Sequence, residues 1–396
     1  MKESLIRKYA YMIAKVGLNI QKGQKVCVEA CIEGYEFANI FADEAYKLGA
    51  SDVQINYLDQ ALLKTKSQYR PLNEVSAIKK WEDDMYQSVL DEGACTLRLE
   101  GVDPKMMEDV SEARASAIFS YVDNMRNIMR KATRVKHCQW CIVEVPTYAW
   151  AKLLFPELDK ESALDKLWET ILKLCYITED NDIEEVWRKK NEVNAAKAKQ
   201  LDEFNIRKLH YTASNGTDLY IELTENSKYH HEMANGGISF NPNMPTEEIA
   251  CSPYKYGTNG VVYSTRPLLL GGKSVENFGF RFKDGKVVEV LADKGKEMLE
   301  NLINTDENAG YLGEAALVEY SSPISQSGLV YYTTLIDENA SCHLALGRAL
   351  SGTCNGEFND STIHIDFMVG TADMSIVATC ADGKEVEIFR NGDFAF

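Results

Sequence analysis

Leu5, Tyr9, Ile13 and Val16 recur at helical spacing, and Gly23 separates this stripe from a short apolar run over residues 26–30. A second helical stripe, Phe37, Phe41, Ala45 and Leu48, ends at Gly49. Val53, Ile55 and Tyr57 then alternate with a period of two. The change of period predicts strand, helix, strand. A crossover of this length returns right-handed to the same sheet, so a parallel βαβ unit is expected. Further strands are expected over 95–99 and 138–145, with helical material between them. From about 164 to 204 the pattern is helical and highly charged, without an interior Gly or Pro. Beyond it, short β-like runs at 219–223, 287–291, 363–368 and 386–389 alternate with Gly, Asn and Pro turns. The expected fold class is α/β: an N-terminal α/β domain with a mostly parallel sheet over 1–205, and a C-terminal α+β domain over 206–396.

A length of 396 residues suits two domains. Apolar residues at 45% and charged residues at 26% are ordinary globular usage. Sixty acidic against 43 basic side chains give a net charge of −17. That balance repels a phosphate backbone and an anionic membrane alike, so neither nucleic acid nor membrane is an expected partner. The first twenty residues mix charges into their apolar stripe, unlike a signal peptide. Ten dispersed cysteines resemble buried thiols more than a disulfide framework. Cytoplasmic localisation is expected.

Six histidines give little choice of imidazole ligands. In STIHIDFMVG, His364 and Asp366 lie two apart on a strand pattern and share one face, where an imidazole and a carboxylate can hold one side of a divalent cation. His343, in DENASCHLALGRAL, is expected on a helix near 340–350 that also presents position 350 on the same face. Glu247 and Glu248 are adjacent carboxylates in the Pro-punctuated NPNMPTEEIACSP, and they repel unless a cation or a proton separates them. Glu314 sits in an apolar stretch with small residues, YLGEAALVEY. Each feature also has a purely structural reading: a packed histidine, a hydrogen-bonded strand pair or solvated glutamates. Cys138 and Cys141 form a Cys-x-x-Cys without a second pair at zinc spacing, and the following Ile-Val-Glu-Val reads as strand. His230 and His231, beside Glu232, are a secondary candidate. The βαβ start raises nucleotide binding, but the chain lacks a glycine-rich phosphate loop.

In order, NMPTEEIACSP, LGEAALVEYSSPIS, LIDENASCHLALGRA and IHIDFMVGTADM resemble the motifs of the thermophilic metalloaminopeptidase family. The opening YAYMIAKVGLNIQKGQKVCVEA and the segment WCIVEVPTYAWAKLLFP are similar to it as well, so the resemblance spans nearly the whole chain. It implies a metal-dependent aminopeptidase with its catalytic centre in the C-terminal half. The implied ligands of two divalent ions (zinc, cobalt, manganese or magnesium) are Glu248, Glu314, His343, His364 and Asp366. The implied reaction is attack of a metal-activated water on the first peptide bond, with Glu247 as the base that relays a proton. The implied partners are short peptides with a free N-terminus, and the implied assembly is a homodimer. One position departs from the family pattern. Leu350 stands where a tyrosine is usual, and the tract 351–360 is short, which raises a catalytically weak or inactive metal- or peptide-binding relative as the alternative.

Overall fold

The structure, a computed structural model, describes residues 2–101, 103–136, 138–231, 233–270, 273–350 and 358–396. The chain divides into two compact units. The first runs to Lys189 and takes in a later passage ending at Thr246. The second runs from Lys190 to His231, from Glu247 to Leu270 and from Ser274 to Phe396. Among the described residues no helix is long and apolar enough to cross a membrane. No disulfide joins the cysteines there, and all nine are buried.

In the first unit, α1 (Glu3–Met12) buries Ile6, Tyr9, Ala10 and Met12 on its apolar stripe. Strand β1 (Lys25–Cys31) pairs in parallel with β2 (Asp52–Leu58). Between them α2 (Tyr35–Lys47) buries Phe37, Ala38, Phe41 and Ala45, so the expected βαβ unit is present. On the other side of β1 lie β3 (Cys95–Glu100), β4 (Trp140–Glu144) and a two-residue strand, Asn243–Met244, all parallel. Alternation divides the strands. Val26, Val28 and Ala30 with Leu97 and Leu99 are fully buried apolar positions, whereas Glu29, Arg98 and Glu100 take the other face. There Arg126, from α3 (Glu112–Lys136), reaches Glu29 at 3.0 Å and Glu100 at 3.2 Å, and Arg98 also pairs with Glu100. Opposite charges make burial of these carboxylates tolerable.

The second unit begins within α4 (Ile183–Glu203). It contains a nine-stranded sheet whose central strands include Ile206–Thr212, Asp218–Leu223 and Ser375–Cys380. It also contains a four-stranded antiparallel sheet with the order β5 (Ile249–Cys251), β6 (Leu312–Leu317), β7 (His343–Gly347), β8 (His364–Met368). One apolar core gathers Leu209, Ile221, Phe278, Phe280, Leu317, Leu344, Leu346 and Phe367. Phe367 of β8 lies 5.1 Å from Phe280 and 6.1 Å from Phe278 between ring centroids. The core therefore takes one face of the small sheet and leaves its other face for chemistry.

The helix expected near 340–350 is instead the strand β7, preceded by a 3-10 turn, Glu338–Ala340. All five residues of β7 are buried. A strand covered on both faces has no polar side from which its period can be read, so a short apolar run fits helix and strand equally. Position 350 consequently does not share a helical face with His343. Close strand approach explains two glycines. Gly347 has φ +99°, and a Cβ on it would stand 2.3 Å from the Ile363 carbonyl oxygen; one on Gly313 would stand 2.4 Å from the Gly347 oxygen.

Candidate metal centre

The register of β6, β7 and β8 assembles the cluster. Glu314 lies opposite Ala345, which lies opposite Asp366; in the next row Ala316 lies opposite His343. Glu314, His343, His364 and Asp366 thus project from one sheet face, with the small side chains of Ala316 and Ala345 between them. Leu344, Leu346, Ile365 and Phe367 alternate to the other side. Glu248 enters from the residue just before β5.

His343 Nε2 stands 3.3 Å from Glu248 Oε2 and 3.8 Å from Glu314 Oε1. His364 Nε2 stands 3.0 Å from Glu314 Oε2 and 3.4 Å from Asp366 Oδ1. The two oxygens of Glu314 therefore address different imidazoles. The donors fall into two groups of three, Glu248–Glu314–His343 and Glu314–His364–Asp366, each with its ligand atoms within 4.8 Å of one another. The outer nitrogens are fixed by the backbone: His343 Nδ1–H donates to the Glu338 carbonyl at 2.8 Å, and His364 Nδ1–H to the Arg348 carbonyl at 2.6 Å. That leaves each Nε2 facing the carboxylates, as the nitrogen that would bind a cation once its proton is lost. Residue types and orientation both fit divalent cations. The side chains of His343 and Glu314 are 1% and 5% exposed, against 20% for Glu248 and 21% for His364, so the cluster is sealed below and open on one side.

The electrostatics demand positive charge. Burial lowers the affinity of both imidazoles for a proton, yet the carboxylates outweigh it, Glu248 and Glu314 at His343, Asp366 and Glu314 at His364, and hold both well above the usual histidine range. Burial raises the Glu314 carboxyl, but contacts with both imidazoles bring it down to about 2. Glu248 is raised, by burial and by the charges of Glu314 and Asp366.

Glu247 lies beside this cluster in sequence, but its carboxylate is paired with Lys190. Its backbone N–H donates to Asn339 Oδ1 at 2.6 Å. Glu338 is a residue that reading the sequence did not single out. It is buried, and its carboxyl is pushed far above the ordinary range by burial and by Asp366, Glu248 and Glu314 nearby. The only signal was an acidic turn five residues before His343; that the turn is interior is not visible in its composition. Leu350 is half-buried, and its N–H donates to Ser252 Oγ at 2.9 Å. Most of the tract after it, 351–357, lies outside the described residues. Tyr331 is buried, with its hydroxyl 2.9 Å from Ser327 Oγ. Cys141 is a buried strand residue of β4 against which a Cβ on Gly17 would stand 2.9 Å away, and Cys138 is buried as well. His230 pairs through its backbone with Ala250, His231 is half-buried, and Glu232 lies outside the described residues.

Residues 2–394 match the profile of the thermophilic metalloprotease family, M29. Aminopeptidase 2 of Geobacillus stearothermophilus is 37% identical over 100% of this chain and 98% of its own length. Aminopeptidase AmpS of Bacillus subtilis (strain 168) is 36% identical over 99% and 98%. In three dimensions the chain is similar to wild-type AmpT from Thermus thermophilus, with a TM-score of 0.91 at 33% identity and 99% of each chain covered.

Proposed function

The chain belongs to the thermophilic metalloprotease family (M29) and is a peptide-bond hydrolase, and on that footing we propose that it is an aminopeptidase releasing N-terminal residues from short peptides with two divalent ions. The observation that carries this reading is the sharing of Glu314 between two three-donor groups, so that two divalent ions would each be held by three side chains. Glu248 and His343 complete one position; His364 and Asp366 complete the other. Glu338 supplies a further carboxylate near both.

When bound, such ions supply Lewis acidity, polarising a peptide carbonyl and making water acidic enough to attack near neutral pH. The chain's own residues do the rest. Glu248, Glu314 and Asp366 offset the cationic charge and attract the free α-ammonium of a substrate. Glu247 accepts a proton from the attacking water and returns it to the leaving amine. Zinc, cobalt, manganese and magnesium all suit a set of carboxylates and imidazoles. The reading includes the cytoplasmic localisation expected from the dispersed thiols and the homodimer that the family resemblance implies, with a scattering mass in solution of twice the chain.

The test is a panel of aminoacyl amides and dipeptides, free or N-acetylated, with chelator and with each metal restored. Metal-dependent cleavage confined to unblocked substrates is expected; equal rates on blocked and free peptides would overturn the exopeptidase reading. Leu350 favours a slower variant of the same function over a different one, because a leucine cannot donate a hydrogen bond to a developing oxyanion, whereas the clustering of Glu248, Glu314, His343, His364 and Asp366 supports cation binding.

A further inference from the structure

Two chemically identical side chains, Glu247 and Glu248, leave the backbone side by side, yet the proposed reaction gives them different work. Something must decide which of them joins the cations. Glu248 Oε2 faces His343 Nε2 at 3.3 Å. Glu247 Oε2 is held by the ammonium of Lys190, which projects from α4, and the side chains of this pair are only 9% and 17% exposed. Lys197 of the same helix pairs with Glu319 outside it, whereas Lys189 and Lys199 differ, pairing with Glu185 and Glu203 in solvent. Such exposed pairs constrain little, whereas a nearly enclosed ion pair holds its geometry. The backbone of Glu247 is held as well. Asn339, fully buried, accepts its N–H through Oδ1 and donates through Nδ2 to the Leu335 carbonyl at 3.1 Å.

We propose that Lys190 is a positioning residue that fixes the Glu247 carboxylate for proton transfer and keeps it from joining the ligand set, so that Glu248 alone of the adjacent pair binds metal. The inference rests on the reading of Glu247 as proton carrier. A carboxylate beside a dicationic site is drawn toward it unless another cation holds it. Lys190 supplies that cation from outside the cluster. The oxygen it holds sets the rotamer, and a displacement of about 1 Å in a reacting group costs on the order of a hundredfold in rate.

The experiment measures kcat, KM and metal content for the wild type, Lys190→Met, Lys190→Arg, Glu247→Gln and the double variant Lys190→Met/Glu247→Gln, each as a folded holoenzyme. Lys190→Met is expected to lose about ten- to a hundredfold in kcat, with KM within about twofold and metal per chain unchanged. Lys190→Arg keeps the charge and is expected to recover most of the loss. In the Glu247→Gln background the lysine substitution is expected to add nothing, because the carboxylate it positions is gone. A merely structural lysine would lower thermal stability and give additive losses in the double variant. Should Lys190→Met fail to fold, Lys190→Gln replaces it, and the same non-additivity decides.

Failures are separable. No turnover by the wild type would remove the aminopeptidase reading, and a fully active Glu247→Gln would remove the proton role. An active wild type and a slow Glu247→Gln, together with a Lys190→Met as fast as the wild type or slow only through lost metal, would overturn this inference alone.

Discussion

Each unit of the chain carries a charged cluster on one face of a sheet, and the two clusters are neutralised by different chemistry. In the first, Glu29 and Glu100 meet the guanidinium groups of Arg98 and Arg126. In the second, the basic groups that Glu248, Glu314 and Asp366 meet among the described residues are imidazoles, His343 and His364. A guanidinium stays charged at any physiological pH, so the first cluster supplies its own cations and needs no visitor. An imidazole can be neutral and offer a lone pair. The second cluster then keeps three carboxylates and an unmet demand for positive charge. Carboxylates beside guanidinium groups thus make a structural network in one unit, and carboxylates beside imidazoles make the proposed cation site in the other; the identity of the bases decides which.

The widest separation between the clusters should come from the shared carboxylate. Glu314→Gln is expected to lower turnover more than about a thousandfold and to reduce bound metal, measured by elemental analysis, because both donor groups lose a charge at once. Retained metal and activity would dissolve the distinction. Arg126→Met is expected to lower unfolding free energy on the order of 3 kcal/mol in urea titrations, since it leaves Glu29 and Glu100 short of a partner. Metal per folded chain should not change. A third test adjusts the metal cluster without dismantling it. Leu350→Tyr is expected to raise turnover by up to about a hundredfold, the scale of one oxyanion donor, with metal affinity little altered. An unchanged rate would remove position 350 from the reaction.

The smallest effect concerns acid. Burial raises the Glu100 carboxyl, but Arg126 and Arg98 outweigh it and hold it down to about 2. A carboxyl depressed in the fold contributes stability that is complete above its unfolded value, near 4.5, and is lost as pH falls toward 2. Unfolding free energy measured across that window should fall less steeply in Glu100→Gln than in the wild type. Parallel curves would show that the arginines do not act through this carboxyl.

Some of this is legible along the chain. Alternation in Ile363, Ile365 and Phe367 against His364 and Asp366 forecasts the strand and the shared face, because one side of β8 is packed on Phe278 and Phe280 while the other carries polar groups. The βαβ opening is legible for the same reason: its stripes are one-sided. β7 is not, since Leu344 and Leu346 face the core while Ala345 lies between Glu314 and Asp366, and burial on both faces erases the period. Glu338 reads as a solvated turn residue because composition cannot say that a turn is interior.

The order of residues by itself determined the periods of the strands and helices, the charge balance and the four motifs that hold every proposed ligand, because each of these depends on neighbours within a few positions. Only the tertiary structure decided that Glu314 faces two imidazoles, that each imidazole is oriented by a backbone carbonyl, and that Lys190 holds Glu247 while Glu248 meets His343. These pairings join residues 5 to 95 positions apart in the chain or lie across sheet register. A side chain's partner at such separations is set by packing and by the cost of burying charge unpaired, which no local pattern records.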